Sequence, residues 1–97
     1  MMDKNNFKLS IIVPCYNEKK TINVILKKIK DSLDNYEIYN YEIIIIDDNS
    51  NDGTIEELKK IENDKNINVY YHETNLGKGA AIQTAIKHLS GDITLIQ

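Results

Sequence analysis

Apolar and polar positions along this chain change their period several times, and each change marks an element. Between Lys8 and Pro14 the residues Leu9, Ile11, Ile12 and Val13 form a nearly continuous apolar run. Such a run suits a strand covered on both faces. Pro14 is expected to end it, because proline brings no N–H to a ladder. From Lys19 to about Asp34 the period becomes helical. Ile22, Ile25, Leu26, Ile29 and Leu33 fall on one stripe, with Lys20, Asn23, Lys27, Lys28 and Lys30 mostly off it. Asn17 is the expected N-cap. A polar, tyrosine-bearing connection from Asp34 to Asn40 leads into a second strand, Tyr41 to Ile46. Its four consecutive isoleucines belong in the centre of a parallel sheet.

An abrupt polar loop follows, Asp47-Asp48-Asn49-Ser50-Asn51-Asp52-Gly53. Thr54 to about Asn63 reads as a second helix. Thr54 and Glu57 have capping-box spacing, and Ile55, Leu58 and Ile61 face inward. Ile67 to Glu73 is a third strand. Ile67, Val69 and Tyr71 alternate there with Asn68, Tyr70 and His72, the pattern of a half-exposed edge. The loop Thr74-Asn75-Leu76-Gly77-Lys78-Gly79 opens a third helix running to about Leu89, with Ile82, Ala85, Ile86 and Leu89 as its buried stripe. Ser90-Gly91 breaks it, and Asp92 to Gln97 forms a fourth strand.

The order β-α-β-α-β-α-β predicts an α/β, Rossmann-like parallel sheet with right-handed crossovers. An edge-like third strand and a very apolar second strand predict the spatial order 3-2-1-4. That order reverses beside the first strand, and ligands bind in the crevice at such a switch point. The loops after Val13 and Ile46 flank it. No internal repeat or linker divides residues 1–97, which read as one unit.

Composition narrows the function classes. A formal charge of −3 on 97 residues is too mild to argue for nucleic acid or an anionic membrane surface. The longest purely apolar run is Ile43 to Ile46, far short of a membrane span. Met1 to Asn6 lacks the apolar core of a signal peptide. A soluble, cytoplasmic protein is expected, and the single Cys15 suits a reducing compartment. Cys15 itself reads as a small apolar residue at a strand end.

Asp47 and Asp48 follow the second strand directly, where two adjacent carboxylates repel each other. Their place at the ligand edge points to binding. A carboxylate only accepts hydrogen bonds, which suits the ring N–H groups of uracil or guanine, or ribose hydroxyls. A turn cap at Asp47 and a solvated Asp48 is the structural alternative. A shared cation site is disfavoured, since adjacent side chains on an extended chain point to opposite sides. In Pro14-Cys15-Tyr16-Asn17-Glu18, Tyr16 offers a ring to a base and Glu18 a carboxylate to a ribose. A strand-stop proline, a packed tyrosine and helix-capping polar residues explain the same loop equally well. Gly77-Lys78-Gly79 precedes a helix, and Lys78 brings positive charge to its N-terminus. It meets neither common phosphate-loop spacing, having His72 and Ile82 where glycines are required. A phosphate or ribose contact and a plain turn remain equal readings. Neither His72 nor His88 has metal-ligand spacing with the acids, and neither is assigned a role.

Taken together, Leu9 to Glu18, Ile43 to Thr54 and Asn75 to Ala81 resemble the three opening motifs of family 2 glycosyltransferases with the GT-A fold. Within that family the resemblance is nearest to the polyprenyl-phosphate (dolichol-phosphate) mannosyl- and glucosyltransferases. It implies transfer of a sugar from a UDP- or GDP-linked donor to an acceptor. It also implies a nucleotide site lined by Pro14, Tyr16 and Glu18, with Asp48 and the backbone around Ile46 on the base. Asp47 and Lys78 are the weaker carry-overs. The family's fourth strand runs into an acidic Asp-x-Asp motif that holds Mg²⁺ or Mn²⁺ on the diphosphate, followed later by an acidic base and the acceptor site. None of these lies within residues 1–97, so the resemblance implies an N-terminal, nucleotide-sugar-binding fragment, inactive by itself. Two rival expectations stand beside it. One is a receiver-like signalling module, disfavoured because the first strand ends Val13-Pro14-Cys15 and not in acids. The other is an interaction fragment whose fourth strand pairs with another copy as a homo-oligomer.

Overall fold

A computed structural model describes residues 7–97; the reading of Met1 to Asn6 lies outside the described residues. The elements run β1 (Leu9–Cys15), α1 (Ile22–Asn35), β2 (Tyr41–Asp47), α2 (Thr54–Lys59), β3 (Ile67–Tyr71), α3 (Lys78–Ile86) and β4 (Ile93–Ile96). All the ladders are parallel and the sheet order is β3-β2-β1-β4, as the apolar patterning predicts.

The sheet separates two apolar layers, because alternate residues of a strand face opposite sides. Ile11, Val13, Ile43 and Ile45 pack with Ile22, Leu26, Ile29 and Leu33 of α1 and Leu58 of α2. Ile12, Ile44 and Ile46 pack on the other side with Ala81 and Ala85 of α3. All four isoleucines of β2 are fully buried, and each contributes about 2 kcal/mol through its removal from water. The run is apolar throughout because both of its faces are covered.

Several local expectations need correction. Pro14 does not end β1: it lies within the strand, opposite Ile46. The Cys15 carbonyl accepts the Asp48 N–H on the β2 side, whereas the Ile12 carbonyl accepts the Gln97 N–H on the β4 side. Pro14 therefore turns its nitrogen toward the β4 side, where the described β1–β4 ladder reaches only Ile12 and Ile96 and asks no N–H of it. Asn17 is not the α1 N-cap. A turn accepting the Thr21 and Ile22 N–H groups on the Glu18 carbonyl intervenes, and Thr21 takes the cap position. Thr54 and Glu57 form no capping box. Gly53 is the cap, with φ 101°, and Thr54 is the first helical residue. The Thr54 hydroxyl donates to Asp52 and accepts the Glu18 N–H at 2.9 Å, while Glu57 is held by Lys60 and Asn23.

Two helices also end early. α2 stops at Lys59 and continues to Asp64 only as tighter turns, Ile61 N–H to Leu58 and Asp64 N–H to Ile61. α3 buries Ala81 and Ala85, not the expected wider stripe; Ile82 and Leu89 are half-buried and Ile86 is 55% exposed. Two alanines one turn apart let the helix lie close on the sheet, so the larger side chains are displaced to its flanks.

Candidate functional site

At the C-terminal ends of β1 and β2 the fold opens a cavity of about 520 Å³. Pro14, Tyr16 and Glu18 line it from the β1 loop, Asp48 from the β2 loop, and Asn75, Gly77 and Lys78 from the approach to α3. It lies at the point where the strand order reverses. Five of the seven residues singled out from sequence therefore meet in one place. Ile46 and Asp47 do not reach it. Ile46 is fully buried in the layer beneath α3. Asp47 is fully enclosed and accepts the Ser50 hydroxyl at 2.6 Å and the Ser50 N–H at 3.0 Å, which makes it the cap of its own turn.

The two loops above the cavity are cross-linked by their polar side chains. The Ser50 hydroxyl accepts the Asn17 N–H at 2.8 Å, and the Asn17 side-chain amide oxygen accepts the Asn51 N–H at 2.9 Å. Asn17 and Asn49 both adopt left-handed backbone, φ 52° and 62°, which asparagine tolerates better than most residues. Tyr16 stands 46% exposed at the mouth. The Glu18 carboxylate accepts the Thr21 hydroxyl, which steadies it beside the opening. The Cys15 thiol is pushed up to about 12, first by burial and then by the charges of Asp47, Glu18 and Asp52. Burial and the surrounding negative charge both disfavour the thiolate, the form that acts as a nucleophile.

Asp48 is the most heavily bonded group at the site. Its carboxylate accepts the Leu76 N–H and the Gly77 N–H at 2.8 Å each, and lies 2.8 Å from His72 Nδ1. Burial works against its ionisation. The Leu76 amide, His72 and the Gly77 amide outweigh that cost and hold the carboxyl below its ordinary range. Three of the roughly four acceptor positions of a carboxylate are thus occupied, and one is left on a residue that lines the cavity. The same bonds put a carboxylate just before the N-terminus of α3, where a phosphate loop would hold its anion. Lys78 lines the cavity from beyond that point.

His72, given no role on sequence, is held at both ring nitrogens, by Asp48 and by Thr84. The β2–β3 register sets Asp47 opposite Tyr71, so Asp48 and His72 follow as neighbours one step past the ladder. The predicted strand order together with that register carried the signal. His88 stacks on Tyr70 with ring centroids 3.9 Å apart, away from the cavity lining. Among the described residues no three His, Cys, Asp or Glu side chains come together to hold a metal ion. Asp47 and Asp48 face opposite ways, as adjacent residues at a strand end do, and do not form a pair. No helix among the described residues is long and apolar enough to cross a membrane.

Known proteins resemble this chain in sequence and in fold. The family described as "Glycosyl transferase family 2" matches residues 10–97. A dolichol-phosphate mannosyltransferase of Pyrococcus furiosus is 29% identical over 89 residues, covering 92% of this chain and 24% of its own length. A dolichyl-phosphate beta-glucosyltransferase of Trichomonas vaginalis is 33% identical, covering 99% of this chain and 31% of its own length. Among solved structures, S. aureus TarS 1-349 in complex with UDP-GlcNAc superposes with a TM-score of 0.76 at 33% identity, over 92% of this chain and 25% of that one. The mannosyltransferase PcManGT of Pyrobaculum calidifontis, in complex with GDP-Man and Mn²⁺, gives 0.70 at 28% identity, over 89% of this chain and 25% of that one. The chain spans about a quarter to a third of the length of these relatives. With the family match running from β1 through β4, the chain belongs to glycosyl transferase family 2.

Proposed function

We propose that this chain recognises the nucleotide of a UDP- or GDP-sugar for a glycosyltransferase whose acceptor is a polyprenyl phosphate. One observation carries the reading. Pro14, Tyr16, Glu18, Asp48 and Lys78, chosen from three separate loops, line a single cavity at the switch point of the sheet. In this reading the base lies toward Tyr16 and Asp48, where a ring face and a remaining carboxylate acceptor suit a planar group bearing N–H. Glu18 takes a ribose hydroxyl. The diphosphate points away from Asp48, because a carboxylate already occupies the Leu76 and Gly77 amides and would repel it.

The sugar-nucleotide class is supported by the UDP-GlcNAc and GDP-Man complexes of the neighbouring structures. The acceptor class is supported by the names of the dolichol-phosphate relatives. Mg²⁺ or Mn²⁺ on the diphosphate belongs to the complete enzyme in this reading. The described residues have no ligand cluster for it, and no step is assigned to it within this chain. Residues 1–97 alone are accordingly expected to bind nucleotide and not to transfer sugar. The buried Cys15 suits a reducing, cytoplasmic setting. The exposed Ile93, Leu95 and Ile96 of the edge strand β4 support self-association of the isolated chain, which sedimentation would detect.

Calorimetry of the chain with UDP and with GDP tests the nucleotide reading. Binding of one of them, weakened by Asp48→Asn, is the expected result. A folded sample that binds neither overturns it. Sugar transfer by this chain with Mn²⁺ present would overturn the expectation of inactivity.

A further inference from the structure

The loop between β3 and α3 carries two residues of the cavity wall, Asn75 and Gly77, and leads into a third, Lys78 at the start of α3, yet has little apolar anchorage of its own. Glu73, Thr74, Asn75 and Leu76 are all exposed. Gly77 takes φ 97°, a conformation open to glycine and strained for other residues, so the segment gains no stiffness there. Its described polar anchors meet at one residue. Leu76 and Gly77 donate to the Asp48 carboxylate, and the Asn75 side-chain amide donates to the Asp48 carbonyl at 3.2 Å. The position of the wall therefore depends on what holds Asp48.

We propose that His72 is a positioning residue of the nucleotide cavity, fixing Asp48 in the orientation that docks the Leu76–Gly77 segment. For its effect on binding this rests on the nucleotide reading above; for its effect on the loop it rests on the hydrogen bonds alone. The imidazole is engaged at both ends. Nδ1 lies 2.8 Å from Asp48 Oδ1 and Nε2 lies 2.8 Å from Thr84 Oγ1 on α3. Its side chain is only 8% exposed and that of Asp48 only 6%. One ring thus joins the end of β3, the end of β2 and the last turn of α3.

Both charge states preserve this bridge. In the neutral ring Nδ1–H donates to the carboxylate, which only accepts, and Nε2 accepts the Thr84 hydroxyl. In the charged ring Nε2–H donates, and the Thr84 oxygen accepts. The role is one of orientation, and proton transfer has no part in it. Each arm has a separate mimic. The amide of His72→Asn falls where Nδ1 stands and keeps the Asp48 arm. The longer His72→Gln reaches toward Thr84 and gives up the Asp48 arm. His72→Ala removes both.

Amide hydrogen exchange on the 97-residue chain, with UDP and GDP titrations alongside, separates these cases. In His72→Ala the Leu76 and Gly77 amides are expected to exchange about tenfold faster, the effect of losing a hydrogen bond to a charged group. The Ile43 to Ile46 amides should be unchanged and so report that the fold persists. Affinity for the nucleotide that binds should fall by about tenfold. His72→Asn should restore both readouts and His72→Gln should not. Unchanged exchange at Leu76 and Gly77 in His72→Ala overturns the proposal, as does a His72→Asn variant that behaves like His72→Ala. Should the wild type bind neither nucleotide, the nucleotide reading falls and the exchange data alone decide the proposal. Should His72→Ala fail to fold, Thr84→Val removes one arm while keeping the shape. Faster exchange at Leu76 and Gly77 then supports the bridge, and wild-type exchange overturns it.

Discussion

Glu42 in β2 and Asp48 just past its end are both buried carboxylates, and the two behave differently. Near the start of β2, Glu42 accepts the Ser10 hydroxyl at 2.6 Å, the Ser90 N–H at 2.8 Å and the Ser90 hydroxyl at 3.0 Å. Just beyond its end, Asp48 accepts two backbone amides and meets His72. Both are held below the ordinary carboxylate range because hydrogen bonding outweighs burial. Neither is a sign of binding by that measure alone. The difference lies in their surroundings. Glu42 is absorbed by the Ser90-Gly91 turn, which it ties to β1, whereas Asp48 lines a cavity. A well-bonded buried acid becomes a functional candidate only where the fold leaves space beside it.

The largest effect expected from breaking this contrast is at the closed end. Glu42→Ala removes the shared acceptor of Ser10 and Ser90 and should cost about 3 kcal/mol of stability by urea denaturation. Nucleotide affinity, corrected for the folded fraction, should be unchanged. Gly91→Ala comes next. A Cβ there would overlap Ser10 Oγ and stand 2.8 Å from the Ser10 nitrogen and 2.9 Å from the Lys8 carbonyl oxygen, two backbone atoms that cannot yield cheaply. A loss of about 2 kcal/mol is expected, again without effect on binding. At the open end Asp48→Asn should do the reverse, lowering nucleotide affinity by about tenfold for a smaller loss of stability, read by calorimetry and melting.

The smallest and most discriminating effect is in acid. Both carboxyls have folded values below their ordinary 4.5 and 3.8, so the stabilisation is present above those values. It is lost as pH falls through the lower folded values. Stability should therefore decline below about pH 4. Glu42→Gln should flatten that decline more than Asp48→Asn does if the closed end carries more of the fold. Equal flattening would erase the distinction between the two ends.

The architecture was legible in the sequence because it depends on apolar runs and their period. Four isoleucines mark a central strand whatever surrounds them, and α1 shows its stripe plainly. The local chemistry was less legible. Asn17 and Thr54 are common cap residues, but each is engaged across the gap between two loops: Asn17 with Asn51, Thr54 with Glu18. Such partnerships are non-local and leave no periodic trace. α3 was misread for another reason. Small side chains that permit close packing score as weakly apolar, so Ala81 was passed over in favour of larger neighbours. The meeting of Tyr16, Glu18 and Asp48 around one cavity followed from sheet topology, whereas the contact of His72 with Asp48 required the register between β2 and β3.

Pro14 also leaves one position along β1 without a donor. Its nitrogen faces the β4 side of the strand, and beside it Val13 and Gln97 border the cavity. Any other residue there would present an N–H to whatever lies alongside at the cavity wall. With proline in place, that stretch of wall offers a carbonyl acceptor and no amide donor.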